Sequence, residues 1–178
     1  MAVSYAGNKN LISSNVAFGV KFNFGESVSL VDFGKVLVAL DQIFAQSSKS
    51  VGRQLEQANN KKIVSALIVK EFKTGSLIAE LQPFFENVAS DAVAGAVVAV
   101  FGYAIRRAVG KVTDHTKDKE LLGKIDPHVL SESRAREAAS EAVSATTAAR
   151  KALRDNYNIH KLNVTINIAG INVSISGD

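Results

Sequence analysis

The residues able to do chemistry in this 178-residue chain are few and scattered. Three histidines, His115, His128 and His160, lie far apart, and none stands in a paired ligand spacing such as HExxH. His115 with Asp114 and Asp118 is the nearest approach to a ligand cluster. Zinc needs more convergent donors than these, so the segment reads as a solvated loop. Cysteine is absent. That removes disulfides, thiolate metal sites and cysteine nucleophiles together, and it fits a reducing compartment. Gly110-Lys111 has the look of the tail of a phosphate loop. Ile105 stands where the first glycine belongs, however, and Val112 replaces the hydroxyl residue. There is no GxSxG elbow. Glu71 and Glu80 are expected to face one another across a hairpin, where an exposed sheet edge accounts for them. The expectation is a protein that is not an enzyme, with no catalytic residues, cofactor or metal.

Binding chemistry has more candidates. Lys61, Lys62, Lys70 and Lys73, with Arg53 nearby, form a basic set suited to the phosphates of a nucleotide or a short single-stranded oligonucleotide. Ordinary surface lysines are the competing explanation. Phe72 alternates into the predicted core instead of interleaving with the lysines, which weakens a base-stacking platform. The formal charge of +4 is compatible with an anionic ligand or surface without demanding one.

The strongest signal is physical. Residues 88–109 form a helix rich in Ala, Val and Gly that has to be buried against something. Asp91 is the last charge before the uncharged run AVAGAVVAVFGYAI, and Arg106, Arg107 and Lys111 close the segment. Three environments suit it. A helix apolar all round can be the core of a soluble domain. Small residues at Gly95, Ala99 and Gly102 suit a close seam between identical subunits. Residues 88–105 also approach the ~18–20 residues that a bilayer span requires. In a pore, Ser90 and Asp91 would sit near the axis, and Arg106, Arg107 and Lys111 would mark the membrane boundary or bind anions. Two features oppose a simple span. Tryptophan, one of the two interfacial anchors, is absent. A cytoplasmic basic end would also put the N-terminal half outside, yet Met1 to Ser14 lacks the charged start and apolar run of a signal peptide. That N-terminal sequence predicts a chain made and kept in the cytoplasm, or inserted from it.

The elements that would position these groups follow from periodicity. Phe18, Val20, Phe22 and Phe24 alternate as a strand that Gly25 ends. Ser29 with Asp32 caps a helix carrying Leu30, Phe33, Val36, Leu37, Leu40, Ile43 and Phe44 as one wide apolar stripe, which predicts packing on a sheet. Residues 47–60 are polar and either extend that helix weakly or form a loop. Residues 62–73 read as a central strand, Thr74-Gly75 as a turn and residues 76–82 as a returning strand stopped by Pro83. Asp126-Pro127 reads as a helix start. The helix it opens bears a small-residue stripe, Ala135, Ala138, Ala142, Ala145, Ala149 and Leu153, and ends at Asn156 and Asn158. A terminal hairpin follows. The expected class is α+β: a strand-helix-strand-strand head over residues 1–83, an apolar pore or oligomerisation helix over 84–112, a linker over 113–126 that is a loop or short helix, an Ala-rich helix over 127–156 and a C-terminal β-hairpin over 157–178, assembled as a homo-oligomer.

The segments LVDFGKVLVALDQIF, KEFKTGSLIAEL and AGAVVAVFGYAIRR, within residues 22–107, resemble a diffuse set of bacterial proteins with an amphipathic helix, two strands joined at Gly-Ser and an apolar helix closed by Arg. The order of soluble head, short apolar helix and polar helical tail is also similar to the small membrane effectors of bacterial anti-phage defence, of the Hailong channel-subunit type. That resemblance implies a homo-oligomeric, non-enzymatic pore or ion channel at the bacterial inner membrane, gated by a nucleotide or oligonucleotide. The alternative is a soluble, cytoplasmic homo-oligomeric binding or scaffold protein with the same helix as its core.

Overall fold

A computed structural model describes the backbone of residues 19–23, 29–55, 64–73, 78–86, 91–109, 115–160, 163–168 and 171–175, and the side chains of residues 29–55, 92–109 and 118–156. Among the described residues are helices α1 (Leu30–Gln54), α2 (Asp91–Val109), α3 (His115–Gly123), α4 (Glu132–Ala145) and α5 (Thr147–His160).

Helix α1 begins where its sequence says it should. The Ser29 hydroxyl accepts from the Asp32 amide at 3.1 Å, satisfying one of the donors a helix start leaves open, and Asp32 adds a carboxylate at the positive end. The polar stretch after Phe44 continues the helix to Gln54 with Ser47, Ser48 and Ser50 all buried. Two of these hydroxyls turn back on their own helix, Ser47 to the Ile43 carbonyl at 2.7 Å and Ser48 to that of Phe44 at 3.2 Å. A polar residue with its hydroxyl spent this way presents a small, nearly apolar surface to its neighbours.

The expected α+β class is overturned. Of the residues whose side chains are placed, 87% are helical and none lies in a strand. The fold is helix on helix. α1 packs against α2, α4 and α5, and α2 is in turn covered by α1, α3, α4 and α5. Helix α1 does meet the extended segment Val64–Lys73, as its wide stripe leads one to expect of a helix beside a sheet, but the stripe residues Val36, Leu40, Ile43 and Phe44 share one cluster with Val97, Val98, Phe101 and Ile105 of α2 and with Ala138, Ala142 and Leu153 of the later helices. At its centre Phe44 meets Phe101 edge to face, with ring centroids 5.3 Å apart and planes at 89°, the arrangement favoured by the ring quadrupoles.

Outside this core the backbone forms extended segments β1 (Gly19–Asn23), β2 (Val64–Lys73), β3 (Ile78–Glu86), β4 (Asn163–Ile168) and β5 (Ile171–Ile175), hydrogen-bonded in the order β2-β3-β1-β4-β5 with every neighbour antiparallel. β1 pairs with β4, so the segment expected to close an N-terminal head is joined to the C-terminal end of the chain. Glu71 and Glu80 are register partners next to an irregularity between Val69 and Glu71. Pro83 does not stop β3; it pairs in register with Leu67. The described β1 ladder covers only Ile78 to Leu81 of β3. At Pro83 the strand therefore has one described neighbour, and a missing N–H is tolerated on an unpaired side. Gly25, expected to end the first strand, and the turn expected at Thr74-Gly75 lie outside the described residues.

Two further expectations are corrected. Asp126-Pro127 does not open a helix. The Asp126 carboxylate accepts from the His128 amide at 2.8 Å and its carbonyl accepts from Val129 and Leu130, which makes a compact turn. The helix starts at Glu132 with Ser131 as its cap. The Ala-rich segment is also two helices. At Thr146 the hydroxyl bonds the Ala142 carbonyl at 2.6 Å and the amide bonds Val143, closing α4, and α5 begins at Thr147. Ala135, Ala138, Ala142, Ala149 and Leu153 are buried, while Ala145, beside the break, is exposed.

Candidate functional site

The C-terminal end of α2 carries the site. Its apolar run stops at Tyr103, Arg106 and Arg107, which helical spacing places on adjacent turns. The chain returns in α3, which brings Asp118 against both arginines. Arg106 donates through Nε to Asp118 Oδ1 at 2.7 Å, and Arg107 reaches Oδ2 at 3.2 Å through Nη2. Arg106 and Asp118 are buried, whereas the Arg107 side chain keeps 25% of its surface. The Arg107 guanidinium also lies 5.1 Å from the Tyr103 ring centroid, within cation–π range. One carboxylate thus holds two guanidiniums beside the opening.

That opening is a cavity of about 720 Å³ between the end of α2, α3, the 124–130 turn and the start of α4. Leu122, Ile125, Leu130 and Ala135 form its apolar wall, and Arg107, Lys119, Arg136, Asp118 and Glu132 its polar rim. Arg136 is bonded to Glu132 one turn away. Gly123 also lines it, and a methyl group added there would meet open space. Among the described residues its lining contains no serine, threonine, cysteine or histidine. The arrangement offers ion pairing, ring stacking and apolar contact, which are the elements of binding. Among the described residues no group of three or more His, Cys, Asp or Glu is placed to hold a metal ion.

The candidates taken from sequence fall in several places. Ala99 and Gly102 are buried inside the core and Gly95 is half-buried. Asp91 is the first residue of α2, and its side chain lies outside the described residues, as do all of Ser90, Lys111, Lys61 and Lys62. Lys70 and Lys73 belong to β2, where the backbone alone is described. Arg53 is half-exposed and paired with Glu141 of α4. Arg106 and Arg107 are brought together with Asp118, while Arg53 is occupied elsewhere. Tyr103, Asp118 and Lys119 were not anticipated as part of one site. Asp118, grouped from sequence with His115 and Asp114 in a solvated loop, is instead buried in α3, where it meets the two arginines.

A second use of arginine recurs. Arg154 Nε donates to the Ala108 carbonyl at 2.8 Å, Arg150 Nε to Val143 at 3.0 Å and Arg134 Nη1 to Gln54 at 3.2 Å. These carbonyls lie in the last turns of α2, α4 and α1, where backbone acceptors lack intrahelical donors and the helix dipole is negative. Burial lowers the Arg150 pKa from its ordinary value, and the neighbouring Arg154 charge lowers it further; a guanidinium remains charged regardless. No protein-family model, curated protein or solved structure matches the chain.

Proposed function

We propose that this chain is a non-enzymatic binding or scaffold protein in which the apolar helix serves as the protein's own core. The observation that carries this reading is the cover over α2. The window Ala92–Val109 is long and apolar enough to cross a membrane by length and composition, yet 72% of it is buried within the chain. A helix apolar on every face needs a partner on every face, and α1, α3, α4 and α5 supply one. Moving α2 into lipid would uncover Val36, Leu40, Ile43 and Phe44. It would also separate Arg106 from Asp118 and Arg154 from the Ala108 carbonyl.

A second reading keeps the membrane pore. It is favoured by the same window, which passes the length and composition test for a span, and it requires the bundle to open so that α2 exchanges protein for lipid. Gly95, Ala99 and Gly102 would then form a seam between copies instead of contacts within one. Fractionation of cells expressing the full chain decides between them. Recovery in the soluble fraction without detergent is expected. Recovery only after detergent extraction, together with release of dye from lipid vesicles, would overturn the core reading in favour of the pore.

A further inference from the structure

We infer that the cavity between α2, α3 and α4 is a binding site for a small amphipathic anion, an apolar or aromatic body carrying one carboxylate or phosphate-like group. Three observations converge on it. The first is charge: among the described lining residues three cations, Arg107, Lys119 and Arg136, stand against two carboxylates, Asp118 and Glu132, and Asp118 also holds Arg106. Arg136 has its own partner in Glu132. A bound anion would complete this balance.

The second observation is presentation. Arg107 is held from two sides, by Asp118 and by the face of the Tyr103 ring, and still lines the opening with a quarter of its side chain exposed. A guanidinium has five N–H donors in a fixed fork. One ion pair and one ring contact leave donors for an incoming oxyanion, and little side-chain freedom remains to be lost on binding.

The third is shape. About 720 Å³ lies within the range that small-molecule sites occupy, and the lining includes apolar side chains beside the charged ones, Leu122 and Leu130 among them. A small inorganic anion would leave those apolar side chains wet, and a neutral apolar molecule would leave the excess charge unanswered. A molecule with both features satisfies both. Within a folded helical protein such a site needs no membrane and no second copy.

The experiment is calorimetric titration of the full chain with 1-naphthoate and with its neutral analogue 1-naphthamide, which share one ring system and differ in charge. Naphthoate is expected to bind one per chain, at least about tenfold tighter than the amide, as a charge-assisted pair requires. Arg107→Gln should lower naphthoate affinity about tenfold or more and leave the amide unchanged. Since Arg107 also touches Asp118, the exposed Lys119→Glu serves as a second variant; it should weaken naphthoate severalfold without affecting the thermal transition. Equal affinity for acid and amide, indifference to both substitutions, or no naphthoate binding at millimolar concentration would each overturn the inference. The inference rests on the core reading, and the two fail differently. A protein recovered only in detergent fails that reading, whereas a soluble protein that ignores naphthoate fails this one.

Discussion

Arg106 and Asp118 form an ion pair between successive helices, with Nε to Oδ1 at 2.7 Å and side chains only 7% and 11% exposed. Burying two charges is costly unless each finds its counterpart, so removing one member of such a pair costs more than the pair contributes in net stability. Asp118 is also the anion shared with Arg107. Asp118→Ala is expected to lower unfolding stability by about 3 kcal/mol in urea titration. Because the pair is shielded from solvent, that loss should persist at high salt. A loss below about 1 kcal/mol, or one that vanishes with added salt, would mean that the pair is solvated in solution.

Ala99 tests what the small residues of α2 are for. It is fully buried within the helical core, where a larger side chain has to displace its neighbours. Ala99→Leu is expected to destabilise the protein by about 1–3 kcal/mol, the usual cost of overpacking, with the elution volume of the folded fraction unchanged. If the residue instead lies in a seam between copies, the same substitution would alter the assembly's size and spare the stability of the single chain. Size-exclusion chromatography beside urea unfolding separates the two.

Part of this architecture was legible in the residues. The Ser29 cap, the stripe from Val36 to Phe44 and the need to bury α2 all follow from local pattern, because capping and period depend on neighbours in sequence. The partner of the α1 stripe was not legible. A wide apolar face is what a helix on a sheet needs and equally what a helix among three others needs, so an α+β class was inferred where the core is helical. The buried serines of α1 looked like a fading helix because their polarity is visible in sequence and their bonds to the Ile43 and Phe44 carbonyls are not. The break at Thr146 is hidden for a similar reason. The alanines on either side favour helix throughout, and a single hydroxyl bonded to the Ala142 carbonyl marks the end. At the candidate site, the excess of basic residues after the apolar run was plain. Its meaning depends on α3 folding back to deliver Asp118, which no local pattern encodes.

Arg154 caps α2 from another helix through its bond to the Ala108 carbonyl. The interaction joins a charged donor to the negative end of a helix dipole at a partly exposed position. Arg154→Ala is expected to cost about 1 kcal/mol. Arg154→Met, which keeps the apolar stem without the charge, should cost nearly as much if the cap matters more than packing. Full recovery by methionine in thermal unfolding would assign the effect to the stem.

Gly34 lies inside α1, and a methyl group added there meets nothing within 4 Å. Glycine in a helix interior carries an entropic penalty relative to alanine with no compensating contact here. Gly34→Ala is expected to raise stability by about 0.5–1 kcal/mol, read as a higher urea midpoint at unchanged slope. A decrease would show that this face of α1 is covered in solution.

Ser50 differs from the two serines that precede it. Ser47 and Ser48 spend their hydroxyls on carbonyls four residues back, whereas the Ser50 hydroxyl is buried with no hydrogen-bond partner among the described residues. A buried hydroxyl without a partner has lost its water and gained nothing, so removing it relieves a desolvation cost; removing a satisfied one forfeits a bond. Ser50→Ala is therefore expected to leave stability unchanged or raise it by up to about 1 kcal/mol, and Ser47→Ala to lower it by about 0.5–1 kcal/mol. The contrast matters because the two positions lie on the same helix, are equally buried and undergo the same chemical change. Denaturant titration of both variants side by side isolates the hydrogen bond from helix propensity and lost volume, which are common to the pair. If Ser50→Ala proved the more damaging of the two, its hydroxyl would have to be bonded in solution, and the packing of α1 at that turn would need a polar partner opposite it.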